Sequence, residues 1–242
     1  MSNQMEYLAD SMKRLDIMLT TMQQEQFYKY YEMLIKQNEV MNLTSITEYT
    51  DVVLKHFVDS LSIVKAYDFN KTIKVIDIGT GAGFPGIPLK IAFPELEITL
   101  LDSINKKIVF LNEVIKELGL QKIQAIHGRA EDFAKPALLR EKYDLCVSRA
   151  VANLSTLSEY CLPFVKTGGF FISYKSKKAD EEIKLSEKAI KILGGNIKTQ
   201  VEFNLPGSDI DRNLIVIEKM KVTPKQYPRK AGLASKEPIK ET

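Results

Sequence analysis

Two carboxylates flank a cluster of alternating glycines, in the spacing that a nucleotide-type ligand requires. Asp77 sits near the carboxyl end of the apolar, β-branched run at 73–78; Gly79, Gly81 and Gly83 follow, and Asp102 ends the next apolar run, ITLLD. Alternating glycines let the backbone take positive φ and approach a ligand with no Cβ in the way. An acidic residue roughly 20 positions past such a turn is where a doubly wound fold offers a carboxylate to two adjacent ribose hydroxyls. Gly81 to Gly86 reads formally as G-x-G-x-x-G, the mark of a dinucleotide site. Adenosine binding is expected, and these residues leave the cofactor open.

The elements that must position this chemistry alternate between strand and helix. Ile73, Val75, Ile76 and Ile78 read as a buried strand, and Pro85 and Pro88 suit the first turn of a helix reaching Phe93. Further strands are expected at 97–101, 123–127, YDLCVSRA, GFFISY after a Gly168-Gly169 turn, 197–204 and 213–218. Helices are expected at 105–118, through Tyr160, and at 179–193. The last two strands have no helix between them, which makes a hairpin. Upstream, Phe27, Tyr30, Tyr31, Leu34 and Ile35 make the stripe of an amphipathic helix over 24–41. NLTSIT breaks it, and a second helix at 51–67 carries His56. Ligands of open α/β sheets bind outside the carboxyl ends of the strands, so 79–84, 102–104, 128–131 and 148–149 converge on one rim. Lys106 and Lys107 lie in a helix first turn, where the dipole disfavours cations, which points to a nearby anion or to Asp102.

The division expected is an N-terminal helical extension (1–66) packed on a main domain (67–220), with a basic tail (221–242). Residues 219–242 hold seven basic residues against two acidic, a net +5, and the rest of the chain carries −2. A basic end on a nearly neutral body is a footprint for a polyanion, with a solvated charge run as the alternative. Cys146 and Cys161 lack metal spacing, the first residues have no secretory character, and no apolar run is long enough to span a bilayer. A cytoplasmic location, no membrane and no metal are expected.

Hydrophobic-Asp-hydrophobic-Gly-x-Gly-x-Gly with an acidic end to the next strand resembles S-adenosylmethionine-dependent methyltransferases more than dehydrogenases. The closing hairpin agrees, since a dehydrogenase should continue βαβ to its end. The fold class expected is α/β, a doubly wound, mostly parallel seven-stranded sheet of this Rossmann-like type. If the cofactor is a methyl donor, the missing groups narrow the acceptor. SRAVANLS stands where an exocyclic adenine nitrogen would call for an Asn/Asp-Pro-Pro-aromatic run, and neither cysteine fits a carbon-5 pyrimidine nucleophile. The rim shows no His–carboxylate pair for deprotonating a hydroxyl or amine. A guanine N7 has a lone pair and no proton to lose, so alignment suffices.

DIGTGAGFPGIPLKI, DSINKKIVFL, GRAED, SRAVANL, DRNLIVIEK and YPRKAG, after NLTSIT and KHFVDSL, resemble the bacterial glucose-inhibited division protein B family along nearly the whole chain. The resemblance implies methyl transfer from S-adenosylmethionine to N7 of a guanosine in the 530 loop of 16S ribosomal RNA, as free RNA or in an assembling small subunit. It implies cofactor contacts at Gly79, Gly81, Phe84, Asp102, Ser103, Ile104, Ala130, Glu131 and Arg149. No catalytic residue is assigned beyond Arg149 as a candidate. Lys225, Tyr227, Arg229 and Lys230 are expected to bind RNA. An NAD-dependent oxidoreductase and a non-catalytic RNA-binding module stay open as alternatives.

Overall fold

The computed structural model describes residues 2–176 and 179–239. Seven strands form one sheet in the order β3-β2-β1-β4-β5-β7-β6, with β1 (Lys74–Ile78), β2 (Glu97–Asp102), β3 (Ile123–His127) and β4 (Tyr143–Arg149) at one side. These four and β5 (Val165–Lys175) run parallel to one another, whereas β7 (Asp211–Lys219) runs antiparallel to both β5 and β6 (Gly195–Asn204). Strand alternation sorts the core by face. Val75, Leu145, Val147 and Ile172 point to one side, and Ile76, Ile78, Cys146 and Phe171 to the other.

The first face is covered by α1 (Ser2–Lys13), α2 (Thr21–Met41), α5 (Gly86–Ala92), α6 (Asn105–Glu117) and a composite helix at 49–65. That composite runs as α3 (Tyr49–Val52), a π-helical stretch (Val53–Val58), α4 (Asp59–Leu61) and a 3-10 turn (Ser62–Lys65). Thr20 closes a capping box with Gln23 at the start of α2, and Asn42 ends it in the left-handed region at φ 49°, which accounts for the break at NLTSIT. Phe27, Tyr30 and Leu34 of the α2 stripe are fully buried. The second face is covered by α7 (Ala130–Phe133), α8 (Leu154–Cys161) and α9 (Ala179–Ile192).

Two expectations change. Gly168 and Gly169 are not a turn before β5 but lie within it, where the pairing with β4 slips between Tyr143 and Leu145. A Cβ on Gly169 would sit 2.6 Å from the Asp144 carbonyl oxygen, so glycine is what allows the strands this close. The helix α1 and the short α10 (Leu233–Lys236) were not anticipated. Leu8 and Met12, buried four residues apart, carried the α1 signal. No helix among the described residues is long and apolar enough to cross a membrane.

Candidate functional site

Both carboxylates of the glycine turn brace it from within. Gly79, Gly81 and Gly83 take φ of 70°, 63° and 109°, as the alternation predicted. Asp77 is fully buried; its Oδ2 accepts from Thr80 Oγ1 at 2.7 Å and from the Gly86 amide at 2.9 Å, while Oδ1 has no partner. Burial pushes this carboxyl up to about 7. As the end of ITLLD, Asp102 offers a carboxylate to a ligand, which would leave its side chain outside the fold. Instead it is 6% exposed, accepting from the Gly81 amide through Oδ2 and from the Ile104 amide through Oδ1, each at 2.9 Å. An ionised carboxylate has about four acceptor positions, so two remain for a ligand. Lys107 stands 3.7 Å away, which answers its unfavourable place in the first turn of α6.

Gly79, Asp102, Ser103, Ile104, Ala130 and Glu131 line one cleft of about 320 Å³ at the carboxyl ends of the strands. Lys107, Arg129, Val151 and Tyr160 join them without having been picked out as ligand contacts. A Cβ on Gly79 would meet Val151 at 2.6 Å, whereas one on Gly81 would meet nothing closer than 4.0 Å, so the turn is open at Gly81. Ile104 leaves 47% of its surface exposed, an apolar patch at the mouth. A larger hollow of about 510 Å³ opens at the amino ends of the strands beside Lys74, Lys122 and Tyr143. It lacks the glycine turn, and its carboxylate, Glu97, stands at the amino end of β2, opposite the rim where ligands of such sheets bind.

Gly81, Phe84 and Arg149 do not line this cleft: Gly81 is tied to its edge through Asp102, and the other two sit next to it, toward the N-terminal helices. Phe84 is 6% exposed, stacks on His56 at 4.6 Å and packs against Tyr30 and Phe57. Tyr30 donates to the Ala82 carbonyl at 2.6 Å, pinning the turn to α2. Arg149 lies over the Phe84 ring at 5.1 Å and pairs with buried Asp59 at 2.9 Å, so it is no surface ion pair. Arg212 holds the other oxygen of Asp59 at 2.7 Å. His56 Nδ1 is 3.4 Å from Arg149 Nη2, and Nε2 is 2.8 Å from Thr44 Oγ1. Because the guanidinium can only donate, Nδ1 accepts and Nε2 carries the proton. Burial, then Arg149, lowers this imidazole to about 4. His127 faces the Ser103 carbonyl at 3.2 Å, at the sheet edge. Cys146 and Cys161 are buried core residues, and burial pushes the Cys146 thiol up, away from nucleophilic use.

The tail is not a free basic arm. Arg229 forks onto buried Glu159 at 2.7–3.1 Å, and the Tyr227 ring packs against the second core. Arg140 donates to the carbonyls of Thr223 and Tyr227 at 2.6 and 2.7 Å. The amide of Gly232 donates to Glu131 at 2.8 Å. Of the four residues expected to bind RNA, Lys225 and Lys230 remain exposed, while Arg229 and Tyr227 are occupied by the fold. Lys240 and Glu241, counted in the tail charge, lie outside the described residues.

Solved structures similar to this fold include Thermus thermophilus TrmN, with a TM-score of 0.52 at 15% identity over 69% of this chain and 53% of that one. M. jannaschii TYW2 in complex with AdoMet gives a TM-score of 0.50 at 15% identity over 62% of this chain and 71% of that one. Closer in sequence is a ribosomal RNA small subunit methyltransferase G of Lachnoclostridium phytofermentans, 53% identical over 94% of both chains. One of the same name from Staphylococcus aureus is 50% identical over 98% of both. The family described as GidB, rRNA small subunit methyltransferase G, matches residues 23–215. With a glycine turn braced by two carboxylates and a seven-stranded sheet closed by a hairpin, the chain belongs to this family of small-subunit rRNA methyltransferases.

Proposed function

We propose that this protein transfers a methyl group from S-adenosylmethionine to N7 of a guanosine in the 530 loop of 16S ribosomal RNA. The bound cofactor supplies an electrophilic methyl group on a sulfonium. The cleft suits its adenosine: Asp102 keeps two acceptor positions for ribose hydroxyls, Ile104 and Val151 offer apolar surface to a base, and the turn at Gly81 has room for close approach.

The observation that carries the N7 reading is the commitment of every candidate base beside Arg149. His56 uses both ring nitrogens, is held neutral down to about 4, and offers no free lone pair. Asp59 faces two arginines, and Asp77 lies buried beneath the turn. His127 is two strands removed from β4. A site with no poised base suits an acceptor with no proton to lose, and leaves alignment of nucleophile and methyl as the protein's task. Lys107 and Arg129 at the cleft, with Lys225 and Lys230 on the tail, give RNA phosphates cationic partners.

The test is incubation of small subunits and of free 16S RNA with labelled S-adenosylmethionine, followed by borohydride and aniline, which cut RNA at N7-methylguanosine. Cleavage at a single guanosine of the 530 loop is the expected result. Label that resists this treatment would mean another acceptor atom. Single-turnover rates should also lack a tenfold rise per pH unit below neutrality; such a rise would reveal a general base.

A further inference from the structure

We propose that the C-terminal tail is a wall of the cofactor cleft, with Arg229 and Gly232 acting as positioning residues on which cofactor affinity depends. The proposal rests on reading that cleft as the S-adenosylmethionine site. Two elements form the side of the cleft facing away from the glycine turn: the four-residue helix α7, which brings Glu131, and the last turn of α8, which brings Tyr160. A single helical turn is too short to hold itself in place, and Arg129 before it makes no side-chain cap. The tail ties both elements from outside.

Gly232 takes φ +80°, which turns its amide onto Glu131 Oε1 at 2.8 Å. Glu131 is only 9% exposed, and among the described residues no donor other than this amide is hydrogen-bonded to it. Three residues earlier, Arg229 binds Glu159 through its backbone amide at 2.8 Å and through Nε and Nη2 at 2.9 and 2.7 Å. Glu159 is 1% exposed and immediately precedes Tyr160. Thr156 of α8 donates to the Ala234 carbonyl at 3.0 Å, continuing the same seam. The segment 229–234 thus fixes one carboxylate inside the cleft wall and another directly behind it. Without the Gly232 amide, the Glu131 carboxylate loses its one protein donor and turns toward water, and the wall loses its shape.

Calorimetric titration of S-adenosylmethionine into full-length variants, paired with thermal melts, separates positioning from mere stability. Arg229→Ala is expected to weaken binding about tenfold, the scale of one misplaced charged contact. Glu141→Ala is the control, because it releases the tail at Thr223, whose amide Glu141 accepts at 2.8 Å, and its side chain has no hydrogen bond to α7 or α8 among the described residues. It should lower the melting temperature while leaving affinity within about twofold. Should Arg229→Ala fail to fold because Glu159 is left buried and unpaired, Glu159→Gln combined with Arg229→Met removes both charges and carries the same expectation. Unchanged affinity in a folded Arg229 variant, or an equal loss in Glu141→Ala, overturns the proposal while leaving the cofactor reading intact. Failure of the unaltered protein to bind S-adenosylmethionine overturns both.

Discussion

Arg149 and Arg229 each hold a buried carboxylate beside the cleft, on opposite faces of the sheet, and the two pairs are built differently. Asp59 on the N-terminal side is shared by Arg149 and Arg212, so one network joins β4, β7 and the composite helix. Glu159 on the other side is served, among the described residues, by Arg229 alone. The shared carboxylate keeps a cationic partner when one arginine is lost, and the unshared one keeps only the backbone amide of residue 229. Stability at the first flank is therefore distributed, and at the second it is concentrated in one residue of the tail.

The largest effect that could break this comparison is on folding. Arg229→Ala should destabilise the protein by about 3–5 kcal/mol, the cost of orphaning a buried charge, and Arg149→Ala by no more than about 2 kcal/mol. Denaturant melts of the two variants give the order directly, and the reverse order would mean that Arg212 does not compensate Asp59. Under the proposed function, Arg149→Ala should nevertheless show the deeper loss of methyl transfer, because Arg149 lies over the Phe84 ring at the end of the glycine turn.

Next in size is the glycine turn that separates the flanks. Asp102→Ala removes the acceptor of two backbone amides and should weaken both S-adenosylmethionine binding and the fold, each by about 1.5–3 kcal/mol. A variant that binds poorly but melts like the unaltered protein would show that the bracing bonds matter less than the ligand contact.

A smaller effect should appear on acidification. His56 is neutral in the fold down to about 4, against 6.5 when unfolded. Its contribution is complete above 6.5 and is lost as pH falls toward 4, because the unfolded chain takes up the proton first. Asp77, raised from 3.8 to about 7, works in the opposite sense: its contribution is complete below 3.8 and is lost as pH rises toward 7. Melting curves of the unaltered protein and of His56→Gln should therefore converge as pH drops from 6.5 to 4. Parallel curves would remove His56 from the Arg149 network.

The smallest effect concerns the two tail cations left in solvent. Replacing Lys225 and Lys230 together by alanine should reduce the slope of log RNA affinity against log salt by about 1.4–1.8, at 0.7–0.9 per phosphate contact. Thermal stability should hold. An unchanged slope would leave the tail with its cleft-facing role alone.

These regions were not equally legible in sequence. At the glycine turn, local pattern and tertiary role coincide: positive φ is demanded by neighbours in the chain, and strand ends converge wherever parallel strands pair. Six of the expected contacts therefore meet in one cleft. Phe84 and Arg149 were named beside them, yet their aromatic and ionic partners, His56 and Asp59, lie 28 and 90 positions away. A histidine on a helix carries no sign of what will stack on it.

The tail was the harder segment, because charge in a sequence shows what water would tolerate and not what the fold consumes. Composition alone determined that residues 219–242 are basic; Pro224, Pro228 and Pro238 read against a helix or an inner strand there, and the structure places the four-residue α10 between the last two of them. The succession of strands and helices along the chain, the closing hairpin and the positive-φ glycine turn likewise followed from the period of apolar residues and the placement of glycines, which are local properties. Only the tertiary structure decided that Arg229 faces Glu159, that Gly232 reaches Glu131 and that Asp102 braces its own turn. The physical reason is burial: a carboxylate removed from water must find its donor wherever the fold brings one, and for Glu131 that donor lies 101 residues along the chain.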